Sequence, residues 1–86
     1  MKKQNVFVVG INGGIWEVFD SKEKVIELFE KELEGKFEFD GEEEMGVEEG
    51  VEYLLKVGEV VRCLNVEVCE MGDDYCELSV IEREIN

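Results

Sequence analysis

The sequence predicts an α+β domain: an antiparallel sheet of two hairpins with two helices on one face, in the order ββα–αββ. Three observations carry that expectation. An Asn-Gly pair separates two β-rich runs near the start, two stretches of helical apolar spacing follow, and a second pair of strand-like runs surrounds Gly72-Asp73-Asp74.

Val6-Phe7-Val8-Val9-Gly10-Ile11 and Ile15-Trp16-Glu17-Val18-Phe19 flank Asn12-Gly13-Gly14. Asn-Gly between such runs signals a type I′ hairpin, because both central residues of that turn need positive φ. With Asn12-Gly13 as the turn, Val9 faces Trp16 and Phe7 faces Val18; Gly14 leaves a register one residue away open.

Asp20-Ser21-Lys22-Glu23 reads as a capping box, with Asp20 as N-cap and Glu23 at the third helical position. Val25, Ile26, Phe29 and Leu33 follow at helical spacing, Leu28 widens the stripe, and Gly35 stands where a left-handed residue ends a helix. Lys36-Phe37-Glu38-Phe39-Asp40 alternates like a short edge strand. Gly41 to Gly46 reads as an acidic link. Val47, Val51, Leu54 and Leu55 recur at i, i+4, i+7 and i+8, so a second helix is expected from about Val47 to Val57. Gly50 weakens that helix and Gly58 ends it.

Val60 to Met71 and Tyr75 to Ile85 form the second hairpin. A three-residue loop sets Val68 opposite Leu78 and Val66 opposite Val80, with Cys76 on the core face and Cys63 and Cys69 pointing the other way. That register argues against a disulfide; a two-residue turn instead places Cys69 opposite Cys76.

Eighty-six residues, 44% of them hydrophobic, make one domain spanning 1–86, too apolar to be disordered by charge alone. The net charge is −14. It is segregated: residues 1–36 carry seven acids and six bases, whereas residues 37–86 carry sixteen acids against Lys56, Arg62 and Arg83. Such a field repels nucleic acid and anionic membrane and attracts basic protein surfaces. No apolar run is long enough to span a bilayer. Met1-Lys2-Lys3-Gln4-Asn5 leads straight into a strand pattern rather than a secretory core. Three cysteines without zinc spacing suit reduced thiols, so the expected location is the cytoplasm.

Chemistry is thinly represented. There is no His, and Ser21 and Ser79 are the only aliphatic hydroxyls, so the usual general bases and activated nucleophiles are missing and no enzyme is expected. The cysteines have acidic neighbours (Glu67, Glu70, Glu77), which suppress thiolate formation. Asp40-Gly41-Glu42-Glu43-Glu44 starts like a calcium loop, but the sixth position is Met45 and the twelfth Val51, so neither a metal nor a cofactor is expected. Gly10-Ile11-Asn12-Gly13-Gly14 lacks the Lys-Ser/Thr of a phosphate loop.

The acidic stretch from Phe37 to Leu55 is what remains, with eight carboxylates and no base. Glu48 and Glu49 suit a helix N-terminus. Glu48 and Glu52, like charges at i and i+4, oppose the helix instead. Helical neighbours stand about 5–6 Å apart at Cβ, the order of phosphate spacing along a strand. Asp40, Glu42, Glu43, Glu44, Glu48, Glu49 and Glu52 are therefore candidates to imitate a nucleic-acid backbone against a Lys/Arg-lined channel. Asp73 and Asp74, at the second hairpin's tip, form a further candidate contact.

The strong acidity and small size, with Asn5-Val6-Phe7-Val8-Val9 and then Trp16-Glu17-Val18-Phe19-Asp20-Ser21-Lys22-Glu23-Lys24, resemble the hairpin–helix start of small acidic phage-encoded proteins, among them anti-CRISPR inhibitors and other DNA mimics. The resemblance covers the first third and carries over no functional residue. It implies a Cas effector or another nucleic-acid-handling defence enzyme as partner, in the host bacterial cytoplasm, blocked by occupation of its DNA-binding surface. The alternative is a homo-oligomer, such as a homodimer, or an adaptor that works through an apolar sheet face containing Trp16, Tyr75, Ile81 and Met71, with the acidity serving solubility.

Overall fold

The computed structural model describes residues 4–33, 36–64 and 75–85. In chain order these form β1 (Gln4–Ile11), β2 (Gly14–Phe19), α1 (Lys22–Leu33), β3 (Lys36–Phe37), β4 (Met45–Gly46), α2 (Val47–Val57), β5 (Val61–Cys63) and β6 (Cys76–Ile85). The α+β class is as the sequence predicts. One antiparallel sheet has the strand order β2-β1-β6-β5, and β3 and β4 pair in a second, two-stranded sheet. The long central ladder joins the two ends of the chain, from Gln4↔Ile85 to Ile11↔Leu78.

Asn12 (φ 49°) and Gly13 (φ 86°) make the expected two-residue turn, followed by Gly10↔Ile15 and Ile11↔Gly14. Asn12 also ties the turn to β6, since its Oδ1 accepts from the Glu77 N–H at 3.0 Å. Beyond Gly10 the register shifts at a β-bulge, so Val9 faces Glu17 rather than Trp16, and Phe7 faces Phe19 rather than Val18. The extra residue lets Trp16 turn inward, where its ring meets Phe29 edge-on at 5.9 Å. Core packing sets this register; the turn residues alone do not.

Helix α1 starts one residue later than expected. Ser21 is the cap, its Oγ accepting from the Lys24 N–H at 3.4 Å, while Asp20 forms an ion pair with the Lys24 ammonium at 2.8 Å. That pair holds the Asp20 carboxyl below its usual range, through the hydrogen bond first and the charge second. Gly35 lies outside the described residues. Helix α2 matches the predicted span and ends at Gly58 (φ 69°), whose N–H reaches the Leu54 carbonyl at 3.0 Å.

The stretch read as an edge strand and an acidic link is a small hairpin. Lys36 pairs with Gly46 and Phe37 with Met45, and Phe39 bridges to Cys63. Asp40 N–H donates to the Arg62 carbonyl at 3.0 Å and Leu64 N–H to Glu38 at 2.7 Å. Those bonds pin β5 from its outer side and fix its register on β6. Val61, not Val68, therefore faces Leu78, and Cys63 faces Cys76. Cys63 is thus fully buried on the core face with Cys76, contrary to the expected outward orientation, and neither takes part in a disulfide. Val66, Val68, Cys69 and Met71 lie outside the described residues.

Both helices pack on one face of the sheet, as expected. Val25 and Phe29 of α1 and Val47, Val51 and Leu54 of α2 share one buried cluster with Val9, Leu78 and Val80. A chain of rings crosses it: Phe29 meets Phe37 at 5.0 Å, Phe37 stacks on Phe39 at 4.9 Å, and Phe39 stacks on Tyr53 at 5.0 Å. Gly50 is where α2 crosses this ladder. A Cβ there would lie 2.7 Å from two Phe37 ring carbons and nearer still to a third. The glycine that weakens the helix as an isolated segment is what lets it seat on the core.

Candidate functional site: an acidic helix face

Buried Val47, Val51 and Leu54 hold one side of α2 down, so helical geometry turns Glu48, Glu49 and Glu52 outward. All three are exposed, as are Asp40, Glu42, Glu43 and Glu44 in the hairpin that precedes the helix. Gly41 (φ 84°) forms a tight turn closed by Glu42 N–H donating to the Phe39 carbonyl at 3.1 Å. The buried Phe39 at its base anchors the loop. The carboxylates are thus carried on backbone fixed at both ends.

The structure divides these seven residues by what they touch. Glu52 is bonded to the Lys22 ammonium of α1, Glu44 to Lys36 at 3.2 Å, and Asp40 to Arg62 at 3.7 Å. The run without a single base in sequence is therefore partly neutralised by bases from elsewhere. The Glu52 hydrogen bond, and then its charge, push the Lys22 ammonium above its usual range, with Glu23 and Glu48 adding to the effect. Half-burial, and then the charge and hydrogen bond of Glu42, push up the Tyr53 phenol. Glu42, Glu43, Glu48 and Glu49 make no ion pair among the described residues, and they form the uncompensated part of the face.

Glu48 and Glu49 line a shallow depression of about 450 Å³ with Gly46, Val47 and Glu30. Glu30 belongs to α1, where its helical position alone gave no reason to group it with the acids of α2. The basic tethers were equally hidden, because Lys22, Lys36 and Arg62 lie outside the acidic run or across the sheet from it. Asp73 and Asp74 lie outside the described residues. No group of three or more His, Cys, Asp or Glu side chains converges among the described residues in a way that could hold a metal ion. No described helix is long and apolar enough to cross a membrane.

The apolar sheet face differs in composition from the one expected. Trp16 belongs to the helix side, against Phe29. Tyr75 lies beneath the Arg62 guanidinium, 4.4 Å from its ring centre. Ile81 does face away from the helices and lines a groove with Val8, Gly10 and Ile15. Met71 is outside the described residues.

No protein-family model matches the chain, and no curated protein or solved structure does either. The functional reading therefore rests on the chemistry of these surfaces.

Proposed function

We propose that this protein is a non-enzymatic inhibitor that presents the carboxylates of α2 and its leading hairpin to a basic nucleic-acid-binding surface, excluding DNA by charge mimicry. A Cas effector or another bacterial defence nuclease is the partner class. The observation that carries the reading is the anchoring of α2. Its apolar side is locked into the core while Glu48 and Glu49 stand exposed on its first turn and Glu43 stands exposed in the hairpin that precedes it. A rigid array meets a basic channel without the ordering cost of a loose acidic tail. Counterion release and long-range steering then act on the protein as they act on nucleic acid.

The test is capture of binding proteins from a bacterial lysate at low and moderate salt, followed by competition with duplex DNA. The expected result is a nucleic-acid-binding protein that is released by salt and displaced by DNA. Reversal of Glu43, Glu48 and Glu49 to Lys should abolish capture. Neutralising Glu44 or Glu52, already engaged by Lys36 and Lys22, should weaken it less. Capture that survives the triple reversal would mean that the acids only keep the chain soluble.

A further inference from the structure

No described helix packs on the side of the four-stranded sheet turned away from α1 and α2, which is largely apolar, with Val8 and Ile81 half-buried there. Strand alternation places Val8 and Gly10 of β1, and Glu77, Ser79, Ile81 and Arg83 of β6, on this side. Neither Val8 nor Ile81 belongs to the buried cluster or packs against it. Ile15 and Val18 of β2 extend the face and are 73% and 47% exposed. A groove of about 440 Å³ crosses it, with Glu77 toward one end and Arg83 toward the other. In a chain of net charge −14, this face carries base as well as acid, since Arg83 and Glu77 both line the groove.

The geometry points to a second copy of this chain as the occupant, packed sheet on sheet about a two-fold axis that lies in the interface, perpendicular to β6 and crossing it at Val80. The outward residues of β6 run acid, small, large, base: Glu77, Ser79, Ile81, Arg83. That axis sets Arg83 over the partner's Glu77 and Ile81 over the partner's Ser79. The neighbouring strands obey the same rule. Val8 lies beside Ile81 and Gly10 beside Ser79, so Val8 stands over the partner's Gly10. Val18 lies beside Val8 and Ile15 beside Gly10, so Val18 meets the partner's Ile15. On β1 and β6 large side chains face small ones and opposite charges face each other, while on β2 two exposed apolar side chains meet, as a self-complementary isologous interface allows. A two-fold parallel to β6 would instead stack Arg83 on Arg83 and Ile81 on Ile81.

The footprint sets the strength. Four strands about 4.8 Å apart and about seven residues long present on the order of 400 Å² of projected area. This is below the size of tight complexes, so the dimer is a weak one in exchange with monomer. Each copy is strongly acidic, and the two repel at long range. Added salt screens that repulsion and strengthens association, whereas it weakens the capture described under Proposed function. The two proposals therefore fail separately.

Sedimentation velocity over a concentration series, at low and moderate salt, tests the proposal. The expected result is a monomer–dimer equilibrium that tightens with salt and is lost in Ile81→Glu. Arg83→Glu and Glu77→Arg should each weaken the dimer by about tenfold, and the double swap should restore it to within about threefold. Six residues of strand separate the two positions by about 20 Å, so rescue can only pass between chains. Each variant is checked for a native melting transition, and the exposed swap pair keeps the test valid if Ile81→Glu unfolds. A monomer at every concentration and salt, association that weakens with salt, a dimer indifferent to Ile81→Glu, or a double swap no better than the singles would each overturn the proposal.

Discussion

Gly50→Ala sets two physical effects against each other. In an isolated helix the change is favourable by about 1 kcal/mol, because glycine has more conformational freedom to lose. In this fold the added methyl would lie 2.7 Å from two Phe37 ring carbons, well inside the roughly 3.5–4.0 Å at which carbon atoms attract. Phe37 has little room to yield. It is fully buried, stacked on Phe39 at 4.9 Å and held edge-on by Phe29 at 5.0 Å. Helix α2 must therefore lift by about 1.5 Å to restore carbon contact distance, loosening Val51 and Leu54 beneath it. Overpacking of this kind costs about 1–3 kcal/mol, and the severity of the overlap places this site at the upper end. Against the propensity gain, the net loss is about 2 kcal/mol, or a fall in Tm of roughly 8–16 °C for a domain of this size. Thermal and urea unfolding followed by circular dichroism measure it. Phe37→Leu should relieve part of the penalty when combined with Gly50→Ala, giving a non-additive cycle. A variant more stable than the parent would refute the argument, because α2 would then not be seated on Phe37 and its acids would lose their anchor.

The turn, the phenol and the thiols supply further tests. Asn12→Ala loses both the tolerance for positive φ and the hydrogen bond to Glu77 N–H, so unfolding free energy should fall by roughly 1–2 kcal/mol in denaturant melts. Tyr53 ionises above its usual range, so the unfolded chain releases its proton first and the stability linked to Tyr53 disappears as pH rises above about 10. Glu42→Gln removes a negative neighbour and should lower the Tyr53 titration in ultraviolet difference spectra of a Tyr75→Phe background. Cys63 and Cys76 are fully buried, so alkylation followed by peptide mass analysis should find both protected until denaturant is added.

Much of the local structure was legible because it depends on near neighbours. Asn12-Gly13 dictates its turn, and the spacing of Val47, Val51 and Leu54 dictates α2 and its buried side. What failed depends on distant residues. The bulge at Trp16 exists because Phe29, on the following helix, offers the indole an edge-on contact. The β5 register is set by main-chain bonds to Glu38 and Asp40, which no pattern within the last hairpin reveals. The candidate site divides in the same way. Exposure of Glu48 and Glu49 follows from helical period, whereas neutralisation of Asp40, Glu44 and Glu52 depends on bases brought in by the fold. The outward order of β6 residues was visible as simple alternation. Its self-complementarity acquires meaning only with the β2-β1-β6-β5 order, which places Val8 beside Ile81 and Gly10 beside Ser79.

The two proposed surfaces constrain each other. The helices and the acids of α2 occupy one side of the sheet and the apolar groove the other, so sheet-on-sheet pairing leaves both α2 faces exposed. With sheets about 10 Å apart and a helix layer outside each, the acidic faces stand roughly 30 Å apart and point in opposite directions. A single basic channel cannot admit both, so dimerisation brings no avidity toward one partner molecule. It instead yields an assembly in which each protomer engages a separate partner. Because salt tightens the self-contact and loosens the acidic contact, moderate ionic strength should leave dimers without partners and low ionic strength should favour monomers bound to them. A partner complex of equal stoichiometry at both salt concentrations would mean that the two surfaces do not work independently.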